Sequence, residues 1–87
     1  MKLIIAILRD ADTEPVTKAL TAANYRVTRT SSTGGLLRRG VSTLLIGVEN
    51  DRVDSAIELM RGNCTPPADD GKKLTIFVVP VEKFEQL

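Results

Sequence analysis

The chain has 87 residues, 43% of them hydrophobic, which suits one domain with a single modest core. A formal net charge of +1 and an aromatic content of 3% argue against the basic surface and stacking platform of a dedicated nucleic-acid binder. Histidine is absent and cysteine occurs once, at Cys64, so histidine triads, histidine metal sites, zinc clusters and an internal disulfide are excluded.

Leu3-Ile4-Ile5-Ala6-Ile7-Leu8 is a continuous apolar run that predicts a strand. It is too short for a membrane span and lacks a signal-peptide pattern, so the expectation is a soluble, cytoplasmic protein with no membrane partner. Asp12 is placed to cap a helix whose first turn tolerates Pro15, and Val16, Ala19, Leu20 and Ala23 follow at helical spacing. Asn24 stands where a left-handed helix terminator belongs. Tyr25 to Thr30 alternates in character and predicts a half-buried strand, with Arg26 and Thr28 on the face opposite Tyr25 and Val27.

Thr33-Gly34-Gly35-Leu36-Leu37-Arg38-Arg39-Gly40 comes next, with three glycines and two arginines. Two readings fit it. One is a flexible connection with a solvated tip; the other is a phosphate cradle, because glycine brings backbone N–H groups close to a ligand and arginine offers a bidentate fork. Leu36 and Leu37 suit either walls against a flat base or a plug in a groove between subunits.

Ser42 to Val48 predicts a third strand, in which Gly47 marks a ligand approach, a bulge or an oligomer contact. Asn50 or Asp51 is expected to cap a second helix carrying Val53, Ala56, Ile57 and Met60 on one stripe, with Gly62 as its stop. Cys64 is expected at the surface or half-buried. Residues 63–73 read as loop, and Leu74 to Val79 as the last strand.

The order β-α-β-β-α-β predicts an α+β, ferredoxin-like domain with a four-stranded antiparallel sheet and two helices on one face. Strands one, three and four are apolar at both parities, the pattern of a sheet covered on both sides. A second copy of the chain is the simplest cover, so a homo-oligomer is expected. The chain order also places Arg26, Thr28, Arg38 and backbone N–H groups at one end of the sheet, beside the glycine-rich connection.

No catalytic constellation can be named. Asp10/Asp12 and Asp69/Asp70 read as cap and turn residues rather than metal ligands. Arg9 stands where acylphosphatases, which use this fold, place a phosphate-binding arginine. The glycine cradle is missing there, and the neighbouring carboxylates repel phosphate.

Residues 1–6, 24–28, 32–38 and 77–81 together resemble the PII-like cyclic-di-AMP receptor proteins, above all through Thr33-Gly34-Gly35-Leu36-Leu37-Arg38 after Asn24-Tyr25-Arg26-Val27-Thr28. The resemblance implies a PII-like domain over 1–87, a homotrimer, and cyclic di-AMP bound at clefts between subunits. It also implies signalling to an unknown downstream protein, without enzymatic activity, metal, cofactor or nucleic acid. Another adenine nucleotide, or protein contacts alone, is the alternative.

The resemblance assigns Asn24, Arg26 and Thr28 to polar contacts with the nucleotide. Gly35, Leu36 and Leu37 supply N–H groups and apolar cover, Arg38 adds charge, Gly47 leaves room, and Phe77 and Gln86 close the site. The chain differs from the family's pattern at Leu36 (usually phenylalanine), Val41 (usually asparagine) and Arg39 (usually small), and by a short loop at 63–73. Leu36→Phe is expected to tighten cyclic-di-AMP binding measured by calorimetry, because an aromatic wall stacks on a purine better than an aliphatic one. Weaker binding would mean that the pocket is packed differently.

Overall fold

The computed structural model describes residues 1–30, 40–65, 73–83 and 85–87. Strand β1 (Lys2–Arg9) leads directly into helix α1 (Asp10–Ala22), followed by β2 (Arg26–Thr30) and β3 (Val41–Val48). A short 3-10 turn (Asn50–Arg52), helix α2 (Val53–Gly62) and β4 (Leu74–Pro80) complete the order. The strands form one antiparallel sheet in the order β2-β3-β1-β4, the ferredoxin-like arrangement that the alternation of elements predicts.

Residues paired across antiparallel strands share a face, so register divides the sheet. Ile4, Ala6 and Leu8 of β1 and Leu44, Ile46 and Val48 of β3 point to the side covered by Val16 and Leu20 of α1 and Ala56 and Met60 of α2. All are buried. The opposite face carries Leu3, Ile5 and Ile7 with Leu45, Gly47, Arg26, Thr28, Phe77 and Val79. Both helices pack on the first face, as two helices over four strands must.

The helix starts differ from expectation. Helix α1 begins at Asp10, not after Asp12, with Arg9 as an extended N-cap that makes no side-chain cap bond. Pro15 is therefore the sixth helical residue, beyond the first turn. Likewise neither Asn50 nor Asp51 caps α2, because both belong to the 3-10 turn that precedes it.

Asp12 is freed for another task. Its buried carboxylate accepts from Arg9 Nε at 3.2 Å and from the Thr65 N–H at 3.1 Å, and the Thr65 hydroxyl also donates to it. Arg9 in turn donates to the Thr65 carbonyl. The cluster ties the end of β1 to the chain beyond α2 and consumes the arginine that an acylphosphatase would need free. Cys64 beside it is buried, contrary to expectation, and burial together with the Asp12 charge pushes its thiol up, which leaves it unreactive.

The exit of α1 sets the position of β2. Asn24 adopts φ +68°, as its place after the helix predicts. The Asn24 N–H donates to Thr21 O and the Tyr25 N–H to Leu20 O, both at 3.0 Å, which is a Schellman motif. Tyr25 is buried beneath it. The Arg52 guanidinium lies 4.0 Å from the Tyr25 ring centroid, and its Nη2 donates to Ala23 O at 2.9 Å. One side chain from the second half thus holds the corner of the first.

Burial raises the Asp12 carboxyl, but the Thr65 and Arg9 hydrogen bonds and the Arg9 charge outweigh it and hold the group below its ordinary value. A carboxyl depressed on folding stabilises the protein fully above its unfolded value, about 3.9, and loses that contribution as pH falls through the lower folded value. Asp12→Asn is expected to cost about 1–3 kcal/mol at neutral pH by leaving Arg9 without its charged partner. In urea titrations the deficit should shrink as pH falls from 5 to 2. Parallel wild-type and variant curves over that range would contradict the assignment.

Candidate functional site

The Schellman turn aims β2 so that Arg26 and Thr28 fall on the uncovered face while Val27 turns to the core side. Arg26 pairs with Gly47 and Thr28 with Leu45 across the β2–β3 ladder, and Gly47 pairs with Leu3 on its other side. Above this corner runs a groove of about 610 Å³. Arg26, Thr28, Glu85 and Gln86 give it polar groups, and Leu3, Leu45 and Val81 give it apolar wall.

Arg26 Nη1 donates to Gln86 Oε1 at 3.2 Å, so residues 60 apart in sequence meet at the groove. At Gly47 a Cβ atom would lie 3.2 Å from Met1 Cε, so the room left by this glycine is filled by the end of a flexible side chain. The tail reaches the groove because the Val81 N–H donates to Met1 O at 3.1 Å, which continues the β1–β4 pairing by one step. Chemically the arrangement offers a charge-assisted donor fork, a hydroxyl and a greasy floor, the requirements of an anion joined to a flat apolar group.

The other expected residues divide into three sets. Asn24 lies just before Arg26 but outside the groove lining, and its evident task is the left-handed turn. Phe77 shares the open face and is 53% exposed, yet it pairs with Ile5 on β4, at the far edge of the sheet from β2. Gly35, Leu36, Leu37 and Arg38 lie outside the described residues.

The expected gathering of Arg26 and the glycine-rich connection at one sheet end turns on residues 31–39, which lie outside the described residues. Arg26 opens β2 opposite Gly47, whereas Thr30, next to the connection, closes it opposite Thr43. Four residues of strand, roughly 13 Å, separate the two ends. Parity places Arg26 and Thr28 on one face of the strand, which register shows to be the face away from the helices. The connection does supply one confirmed glycine role: Gly40 has φ +82°, and its carbonyl accepts from the Asp10 N–H at 2.7 Å.

Sequence reading missed Met1, Leu3, Leu45, Val81 and Glu85 as groove residues. Leu3 and Leu45 carried a signal, since each pairs with Gly47 or Thr28 in the register that the alternation demands. Glu85 carried none, because no periodicity describes the path of the tail. A second groove, about 530 Å³, lies between α1 and β2 around Thr17, Lys18 and Arg29, but its Lys18 is ion-paired with Glu14 at 3.7 Å and well solvated.

Among the described residues no helix is long and apolar enough to cross a membrane. A protein from Pediococcus pentosaceus ATCC 25745, described only as functionally unknown, has a crystal structure that superposes with a TM-score of 0.81 at 30% sequence identity. The match covers 99% of this chain and 96% of that one. The sequence model of the family described as "Cyclic-di-AMP receptor" matches residues 1–69, a span that includes Arg26, Thr28 and Gly47 and stops short of β4 and the tail. With the fold, the groove and the motifs of residues 24–38 in agreement, the chain belongs to the cyclic-di-AMP receptor family, which is PII-like.

Proposed function

We propose that this protein is a cytoplasmic, non-enzymatic signalling receptor that binds cyclic di-AMP at clefts between the subunits of a homotrimer, each subunit a single PII-like domain. Family membership supports the ligand. The observation that carries the rest is the division of the expected site across one open sheet face. Arg26, Thr28, Gly47 and Gln86 gather at the β2 edge, and exposed Phe77 sits on β4, the opposite edge. Within one chain these halves do not meet. A neighbouring copy laid against the face brings a second chain's β4 edge to the Arg26 groove and covers Leu3, Ile5, Phe77 and Val79 at the same time.

The nucleotide's charge and shape fit the groove's chemistry. Arg26 donates to a phosphate oxygen in place of Gln86, Thr28 adds a hydroxyl donor, and a purine lies on Leu3 and Leu45. Binding then reshapes the surface that a downstream protein reads.

Calorimetry with cyclic di-AMP, cyclic di-GMP and ATP tests the ligand. Cyclic di-AMP should bind best, and Arg26→Ala should weaken it by at least about 1.5 kcal/mol, the loss of one charge-assisted hydrogen bond. An unchanged affinity would show that Arg26 is not in the site. Light scattering at micromolar concentration should give about three times the 9.5 kDa chain mass. A monomeric mass would remove the intersubunit cleft.

A further inference from the structure

Arg26, Gly47 and Leu3 form one row across the open face, with Gly47 on β3 between Arg26 on β2 and Leu3 on β1. The recess that Gly47 leaves in this row is taken by the Met1 side chain, whose Cε would lie 3.2 Å from a Cβ at that position. Met1 lines the groove together with Leu3, Leu45 and Val81, and at 41% exposure it is not locked into the core. Its backbone is fixed, because its carbonyl accepts from the Val81 N–H at 3.1 Å and β1 begins at the next residue. Met1 is therefore anchored at the main chain, while its unbranched thioether is free to change rotamer over the groove.

From this geometry we infer that Met1 is a further binding residue of the groove: its thioether swings off Gly47 when the nucleotide enters and closes on the purine. The inference deepens the receptor reading and rests on it. Neighbouring strands lie about 4.8 Å apart, so a nucleotide that reaches from Arg26 to Leu3 passes over Gly47 between them. The Met1 methyl already sits there, so the ligand must displace it. That displacement is easy, because a partly exposed side chain exchanges one staggered rotamer for another without disturbing packed core. The displaced sulfur stays beside the row, since its backbone is held in the ladder, and a polarisable thioether packs well against an aromatic ring. Glycine and methionine thus work as a pair. Gly47 makes the recess, and Met1 covers it until a flat base takes its place.

The chain holds two methionines, and Met60, 0% exposed in the core, is an internal reference for Met1. Protein isotope-labelled at the methionine methyls gives one magnetic-resonance signal from each, and the intact mass confirms that Met1 is retained ahead of Lys2. Mild peroxide converts exposed Met1 to its sulfoxide before Met60, which assigns the two signals. Titration with cyclic di-AMP should move the Met1 methyl in step with the calorimetric heat and give a nuclear Overhauser contact from it to a purine ring proton. The Met60 methyl should stay in place. Protein oxidised at Met1 should bind cyclic di-AMP about two- to tenfold more weakly, and methionine sulfoxide reductase should restore the affinity. Heat accompanied by an unmoved Met1 methyl, by no contact with the base, or by equal affinity after oxidation overturns the inference and leaves the receptor reading standing. So does an equal shift of both methyls, which marks a rearrangement of the whole chain. No heat and no shift remove the receptor reading, and the role of Met1 falls with it.

Discussion

Strand β1, hydrogen-bonded on both sides to β3 and β4, cannot choose where its apolar residues go. Ladder geometry sends Ile4, Ala6 and Leu8 one way and Leu3, Ile5 and Ile7 the other. The first set is sealed by α1 and α2, and its members are at most 2% exposed. The second set faces away from both helices and remains half-buried. Among the described residues the Arg26 groove and the exposed Phe77 sit on that second face. A chain this short needs the first face to fold, and on the second β1 supplies Leu3 to the groove wall and lies between β3 and β4.

The edge strand β2 has far less to hold it, pairing only with β3 over five residues. Its position depends on the corner that precedes it. The Schellman turn at Asn24, the buried Tyr25 and the Arg52 guanidinium stacked on that ring fix where the strand begins. Because Arg26 is the first residue of the strand, its direction is set by that corner more than by the sheet. A cation–π contact of this kind contributes about 0.5–2 kcal/mol, with a further charge-assisted hydrogen bond to Ala23. The clamp comes from the second βαβ half, so the β2 edge of the first half is positioned only when both halves are assembled.

These two layers explain what was readable beforehand. Continuous apolar runs and helical stripes fix element identity, and Asn24 ends α1 where local backbone chemistry says it should, whereas Gly62 stays helical and Asn63 caps α2 without a left-handed turn. The starts were misplaced because Asp12, an obvious cap by type, is claimed by Arg9 and Thr65 across 53 residues of sequence. Local propensity cannot see a partner that distant. The same holds for the site. The parity of Arg26 and Thr28 and the small size of Gly47 are visible as local facts, whereas the pairing of Arg26 with Gly47 requires the register with β3. Glu85 became visible only once the tail was seen beside β1.

Magnitudes favour a site larger than one chain's groove. Micromolar binding requires about 8 kcal/mol, and a charge-assisted hydrogen bond returns about 1.5–3 kcal/mol net. Arg26 and Thr28 together therefore supply about 3–6 kcal/mol, short of the whole, and the Gln86 contact on Arg26 must first be displaced. Apolar contact must provide the remainder. At roughly 25 cal/mol per Å², each 100 Å² buried returns about 2.5 kcal/mol, before the cost of immobilising the ligand. An open groove covers a purine on one side only. A second wall doubles the buried area with no further charge, and the exposed Phe77 on the far edge of the same sheet is the aromatic surface best suited to form it. On the proposed reading, the open face and the single-chain groove have one common remedy, a neighbouring copy that closes both.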